Sequence, residues 1–226
     1  MSSITGHNTK KLNLLLRNWP SGTIATAPWP AAVQAIQSQL SLPVHVAAKT
    51  ALELRGFEHF VVVGEGAPLY LFSDTLRVLP SWFMKHKWDR RIFFSQAKLF
   101  NADPSTGLTK HNAGTFSLDI SAPERAILEI LHLVPKDQSF EESRLLMEGL
   151  TGLRPKIVQS LLEQCRSIKV KRLFLHLAER CNHSWVSTLD IKKIDLGSGN
   201  RVIVPGGRLD PKYRITVERE RLADEG

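Results

Sequence analysis

The sequence predicts an α+β protein: a small antiparallel sheet packed on a helical bundle, closed by a short C-terminal β element. Three observations predict it. Between residues 57 and 120, short apolar and aromatic runs alternate with clusters of Gly, Pro and Asn, the pattern of strands and turns. Residues 121–181 switch to apolar spacings of three and four, the helical period. After residue 184, glycine-punctuated short runs return.

The elements follow in order. Residues 1–9 are polar. Lys10–Trp19 reads as a short helix with Leu12, Leu15, Leu16 and Trp19 on one side, stopped by Pro20-Ser-Gly22. Thr23–Ala27 is a small extended piece. Pro28-Trp-Pro30 breaks the pattern and opens a second helix, Ala31–Leu40, with Pro30 suited to its first turn. Pro43–Arg55 reads as a third helix, with Val46, Ala47, Thr50, Ala51 and Leu54 inward and Gly56 as its cap. Phe60–Val63 and Leu69–Phe72 flank Gly64–Pro68, a hairpin-like signal. Arg77–Leu79 and Arg91–Phe94 read as strands, and Lys98–Phe100 and Thr115–Ile120 complete the sheet. Asn101–Gly114 is a polar turn region.

Ser121-Ala-Pro-Glu124 has the form of a capping box, opening a helix to about Leu133. Ser139-Phe-Glu-Glu142 repeats the device and opens Glu141–Leu150. Two basic helices follow, Pro155–Arg166 and Lys169–Arg180. Trp185–Leu189, Arg201–Val204 and Tyr213–Val217 read as strands, with turns at 197–200 and 206–207 and a charged tail over 218–226. The expected core includes Leu128, Leu131, Leu145, Leu161, Leu162, Leu173 and Leu177.

Composition narrows the function classes. With 42% hydrophobic and 23% charged residues in 226, the chain reads as globular and not disordered. Its longest apolar runs, such as Leu12–Leu16, are far too short to span a bilayer, so no membrane partner is expected. The first residues carry no secretory pattern, which predicts a cytoplasmic protein. The only two cysteines, Cys165 and Cys181, fall on apolar helix faces and read as buried free thiols. A formal charge of +8 and a pI of about 9.7 favour anionic partners.

That charge concentrates. Arg154, Lys156, Arg166, Lys169, Lys171, Arg172 and Arg180 stand against two acids, Glu163 and Glu179. On a helical wheel Lys169, Arg172, His176 and Arg180 form one stripe beside an apolar face of Val170, Leu173, Leu177 and Cys181. This predicts a cationic ridge toward water, suited to a polyanion or an acidic partner. A charge run of this kind equally fits a solvated helix face. Trp82–Arg91 interleaves aromatic and basic residues; the tryptophans fit inward packing on an edge strand, while Lys85, Lys87, Arg90 and Arg91 fit either phosphate contacts or edge protection.

Other chemistry finds little support. Gly197-Ser-Gly199-Asn-Arg201 lacks the Gly-Lys-Ser/Thr ending of a phosphate loop and precedes a strand. Cys181, His183 and His176 make at most three metal ligands, so no zinc or cofactor is expected. Asp190, Asp195 and Asp210 show no acid–base spacing, and no nucleophile elbow occurs. A nucleotide-using enzyme would have only the positive charge behind it, and the chain reads as non-enzymatic.

The ordered segments resemble the AbiE-type (AbiEi) abortive-infection antitoxins of type IV toxin–antitoxin systems. The resemblance rests on Val44–Gly56, Ser121–Glu129, Leu161–Ala178, Trp185, Leu189-Asp190, Leu196-Gly197 and Gly206-Gly207 with Lys212-Tyr213, and covers about residues 31–217. It implies an N-terminal winged helix-turn-helix that represses its own promoter and a C-terminal domain that carries antitoxicity. It also implies a nucleotidyltransferase-like toxin as partner. After Trp29 the chain runs straight into Pro30-Ala-Ala-Val, where that family's recognition helix and basic wing are expected. This assigns residues 1–29 to a truncated winged-helix remnant and 30–226 to the antitoxin domain. The reading is an antitoxin in phage defence. The alternative is a basic regulator that holds nucleic acid through phosphate contacts, with Arg154, Lys156, Lys169, Arg172 and Arg180 touching the backbone.

Overall fold

A computed structural model describes residues 28–57, 67–101, 103 and 105–218. The expected helix Lys10–Trp19, the extended piece Thr23–Ala27, the strand Phe60–Val63 with most of its hairpin, and most of the charged tail lie outside the described residues. Within them the fold is α+β.

The chain enters through α1 (Trp29–Gln34), which continues as a π-helical turn over Ala35–Gln39. Pro30 occupies its first turn, as its fixed φ allows. Next comes β1 (His45–Val46) and α2 (Ala48–Leu54). Here the expected third helix is corrected. Pro43 and the β-branched Val44 and Val46 favour extended backbone, and β1 is the central strand of the sheet. Helix begins only at Ala48, whose φ of 49° turns the chain out of the strand. Two residues are too few for a periodic signal.

β2 (Leu69–Ser73) is fully buried. Arg77–Leu79 is not a strand, and Trp82–Arg91 is not an edge strand: α3 (Ser81–Lys85) and a loop lead to β3 (Ile92–Gln96). Trp88 folds back there, its Nε1–H donating to the Phe83 carbonyl at 2.8 Å. Lys98–Phe100 makes only an isolated bridge from Phe100 to Cys165. The polar stretch 101–114 conceals β4 (Leu108–Asn112), which pairs with β5 (Ser117–Ser121). As an edge strand β4 buries little, so its composition looks like a turn.

The sheet order is β3-β2-β1-β5-β4. The β1/β2 and β4/β5 pairs are antiparallel, while β1/β5 and β2/β3 are parallel, so the sheet is mixed and not antiparallel as expected. Against it lies α4 (Pro123–Leu133), touching α2, β5, α5 (Phe140–Gly149), α6 (Pro155–Gln164) and α7 (Ile168–Arg180). Most of α4 is buried, including Glu124, Arg125 and Glu129, as befits a helix packed on all sides. Of the expected core, Leu128, Leu131, Leu161, Leu162, Leu173 and Leu177 are buried, but Leu145 is 45% exposed. α5 points Phe140, Ser143, Leu146 and Met147 inward instead.

Half of the second expected capping box forms: Ser139 accepts the N–H of Glu142 at 3.1 Å, while the Glu142 carboxylate takes Lys49 and Gln138 as partners. The first does not. Ala122 caps α4 without a side-chain bond, and Ser121 and Glu124 have other partners. Trp185–Leu189 is also not a strand but lies in a 3₁₀ turn over Ser184–Thr188. The chain closes with β6 (Arg201–Val202), β7 (Arg208–Asp210) and β8 (Ile215–Val217), ordered β6-β8-β7.

Glu129 joins these layers. Its Oε1 accepts from His45 Nε2 at 2.8 Å and Arg125 Nε at 2.9 Å. Its Oε2 accepts the Ala48 N–H at 3.1 Å and the Ser121 hydroxyl at 2.7 Å. Burial pushes its pKa up, but His45, Arg125 and Ser121 outweigh burial and hold it at about 2, against an ordinary 4.5. A carboxyl depressed in the fold stabilises above its unfolded pKa, and that contribution disappears as pH falls through the folded value. Glu129→Gln should therefore cost about 3–5 kcal/mol at neutral pH by orphaning its buried partners. It should also remove part of the stability loss that the unchanged protein shows between pH 4.5 and about 2. Urea titrations at stepped pH measure both; an unchanged acid slope in the variant refutes the assignment.

Candidate functional site

The predicted cationic ridge is placed on α7, but apart from Arg180 it is largely turned from water. Lys171 is 4% exposed, Arg172 2% and His176 6%. The segment after α7 folds back over this face. Lys169 donates its ammonium to the carbonyls of His132 and Val134. Lys171 Nζ donates to the Asp195 carbonyl at 2.8 Å. Arg172 donates to the carbonyls of Leu196 at 2.7 Å, Gly199 at 2.6 Å and Arg214 at 3.3 Å. His176 Nδ1 meets Asp210. A helical wheel shows which residues share a face and not what covers it, which is why the ridge reads as solvated.

The electrostatics follow from that burial. Desolvation lowers the pKa of Lys169. Arg172 is lowered by desolvation and then by Arg201 and Arg214 nearby. Arg201 and Arg214 are exposed and adjacent across β6–β8, with the Arg201 N–H donating to the Arg214 carbonyl at 2.9 Å. Neither has an acidic partner among the described residues. This three-arginine cluster was missed in the sequence because its members lie far apart in the chain. His176 is lowered by burial, which outweighs the pull of Asp210 toward the charged form.

The other predicted residues separate into two kinds. Arg154 has a side chain 58% exposed, yet it clamps buried Glu124 through Nε and Nη2, both at 2.9 Å. Arg90 forks onto Glu53 and lies over the Trp29 ring. Lys156, Arg180, Arg91, Lys85 and Lys87 are exposed. Arg154 and Lys156 border a shallow groove of about 850 Å³, floored by Pro155, Ile157, Gln159 and Thr188 and reaching Asp190. Arg90 and Arg91 stand at the β3 edge of the sheet, not on the α6–α7 face.

The buried His45–Glu129–Arg125 set was also missed. Arg125 and Glu129 at helical i,i+4 spacing were a visible signal, but their Cα positions fall within a run that reads as plain helix. Arg125 also reaches the Thr106 carbonyl at 2.9 Å and lies over Phe100. Among the described residues no three His, Cys, Asp or Glu gather in a metal-binding group, and no helix is long and apolar enough to cross a membrane. Cys165 is buried and its thiol is pushed up to about 11 by desolvation; Cys181 is half-buried, and both are free.

The described residues form a mixed sheet on a helical layer, with a C-terminal β cap clamped by the cations of α7. Residues 67–218 match the family described as transcriptional regulator, AbiEi antitoxin, type IV TA system. Residues 25–63 match the AbiEi antitoxin N-terminal domain. The chain belongs to this AbiEi antitoxin family, described as transcriptional regulators and not as enzymes. The N-terminal match runs past Trp29, so the family's N-terminal domain is represented in the segment that the resemblance assigned to the antitoxin domain. Residues from Trp29 onward share one hydrophobic core with the rest. No curated protein matches the chain. Among solved structures, the RV2827C protein from Mycobacterium tuberculosis is similar, with a TM-score of 0.61 and 13% identity over 87% of this chain and 70% of that one. At that identity the likeness concerns the fold.

The burial contrast along α7 makes a direct prediction. Arg172→Ala leaves three carbonyls and a cavity, and should destabilise by about 2–4 kcal/mol. Arg180→Ala, on the exposed last turn, should change stability by under about 0.5 kcal/mol. Denaturant midpoints for the two variants decide; equal effects would remove the clamp assigned to Arg172.

Proposed function

We propose that this protein is the antitoxin of a type IV toxin–antitoxin pair that neutralises a nucleotidyltransferase-like toxin in the bacterial cytoplasm. The single observation that carries this reading is the pair of family matches, over 25–63 and 67–218. Residues from about 30 onward carry the antitoxicity, including most of the stretch that matches the family's N-terminal domain. The partner-facing residues are the exposed Lys156, Arg180, Arg91, Lys85 and Lys87, with Arg154 at the groove. Lys171, Arg172 and His176 hold the fold beneath them. Co-expression with the cognate toxin tests the proposal. Growth should be restored, and failure of rescue by folded, abundant protein overturns it.

We propose second that the protein represses its own promoter through phosphate contacts. Support comes from the uncompensated positive cluster of Arg172, Arg201 and Arg214. Burial keeps Arg172 from the solvent, so Arg201 and Arg214 are the phosphate contacts. Binding to promoter DNA should weaken steeply with salt, and removing both arginines should flatten the log–log slope by about two. A slope untouched by Arg201→Ala with Arg214→Ala, or no binding at low salt, excludes this use of the cluster.

A further inference from the structure

Between the end of α7 and the β7–β8 connection lies a cleft of about 480 Å³. Two of its lining side chains are more than nine-tenths buried, His176 at 6% and Tyr213 at 3% exposed. Each leaves a polar atom without a close hydrogen bond, His176 Nε2 and the Tyr213 hydroxyl, although burial and then the nearby Glu179 carboxylate push the phenol's pKa up. Buried polar atoms in native proteins are almost always satisfied, so two orphans lining one cleft call for an explanation.

The acids of the cleft are already engaged. Asp210 Oδ1 accepts the N–H groups of Lys212 at 2.8 Å and Tyr213 at 3.0 Å, and its Oδ2 takes the His176 Nδ1–H. Glu179 accepts Lys212 Nζ on both oxygens at 2.7 Å. Glu218 stands exposed at the rim. Arg208, also exposed, has no acidic partner among the described residues, and Arg180 completes the rim. The groups left for a ligand are therefore the imidazole Nε2, the phenol hydroxyl and the Arg208 guanidinium.

We infer that this cleft binds the phosphate group of a small phosphomonoester, with His176, Tyr213 and Arg208 as its contacts. Because Nδ1–H is held by Asp210, Nε2 of the neutral ring presents a lone pair and needs a donor. Tyr213 and Arg208 instead offer hydrogens and need acceptors. A phosphomonoester, with a second pKa of about 6, places a P–OH and anionic oxygens on one phosphorus at neutral pH. Carboxylates and sulfate carry no proton there, and the phosphodiesters of nucleic acid have no second P–OH. The volume falls within the range of small-molecule sites. Lys212 lies 5.3 Å over the Tyr213 ring and covers the site. Its pair with Glu179 is a surface one, with the lysine side chain 64% exposed, so it swings aside at little cost. This site is independent of the antitoxin reading.

The test follows the ring nitrogens of His176 by NMR in the full-length protein, with inorganic phosphate, glycerol phosphate, sulfate and dimethyl phosphate as probes. Inorganic phosphate and glycerol phosphate should shift Nε2 saturably, and glycerol phosphate should bind at least as tightly if an organic phosphate is the natural ligand. Sulfate and dimethyl phosphate should bind at least about tenfold more weakly, a difference of about 1.4 kcal/mol. Tyr213→Phe keeps the ring packing and Arg208→Ala touches only an exposed side chain; each should weaken phosphate about tenfold in a protein of unchanged circular dichroism. No shift with phosphate, equal response to sulfate or dimethyl phosphate, or full affinity in both variants overturns the assignment.

Discussion

One buried carboxylate determines how the layers of this fold meet. Glu129 lies on α4, the helix that touches most of the other elements, and its two oxygens gather donors from β1, α2, β5 and α4 itself. Moving a carboxylate out of water costs several kcal/mol, and only a full set of donors offsets that. The set is full here, with two side chains able to carry positive charge, one hydroxyl and one backbone N–H. Each donor also has a geometric consequence. The Ala48 N–H can reach Oε2 only because the chain turns sharply after β1. Ser121 can reach it only if it stays in β5 and does not cap α4. A single site thus fixes the central strand, the start of α2 and the angle of α4 against the sheet.

The C-terminal β element depends on a different device. Four backbone carbonyls of residues 195–214 turn toward α7. Lys171 and Arg172 bring positively charged donors to Asp195, Leu196, Gly199 and Arg214. The long aliphatic stems of both residues meanwhile extend the apolar face of α7. Arg172 has no carboxylate in this arrangement, so its charge is left uncompensated, and Arg201 and Arg214 add to it. The element is therefore held in place by hydrogen bonds that leave a positive potential at its surface. Structural and electrostatic roles coincide in one residue.

The legible and illegible parts of the sequence divide along physical lines. α5, α6 and α7 were legible because long amphipathic segments repeat their signal, and Ser139 caps as its spacing predicts. Most of the leucine core followed from the same periodicity. β1 and β4 were not legible: the first is two residues long, and the second is a polar edge strand. The parallel pairings were hidden too, since strand direction depends on how distant segments meet. Ser121 and Glu124 show a subtler failure. Their spacing suits a capping box, yet Ser121 has Glu129 as partner and Glu124 has Arg154, thirty residues along. Local spacing states what a residue is able to do, and tertiary partners decide between its options. The site residues failed for this reason: seven cations read as one surface, while the fold turned several of them onto carbonyls.

That redistribution bears on how a protein of net charge +8 meets its partners. Had the whole α6–α7 set faced water, a broad basic surface would attract any polyanion with little selectivity. Burying Lys171 and Arg172 and pairing Arg154 with Glu124 thins that surface. What stays outside is divided among the α6 groove with Lys156, the end of α7 with Arg180, the β3 edge with Arg91, and the Arg201–Arg214 pair. Separate small patches contribute less to long-range attraction than one large ridge. They can make contact with different surfaces, as the proposed toxin and promoter partners would require. The Lys156 groove has an apolar floor, Ile157 and Pro155, whereas Arg201 lies on β6 next to the exposed Val202 and Arg214 lies just before β8. Apolar floor beside charge suits a folded protein partner, and adjacent guanidinium groups suit phosphates, in line with the two partners proposed.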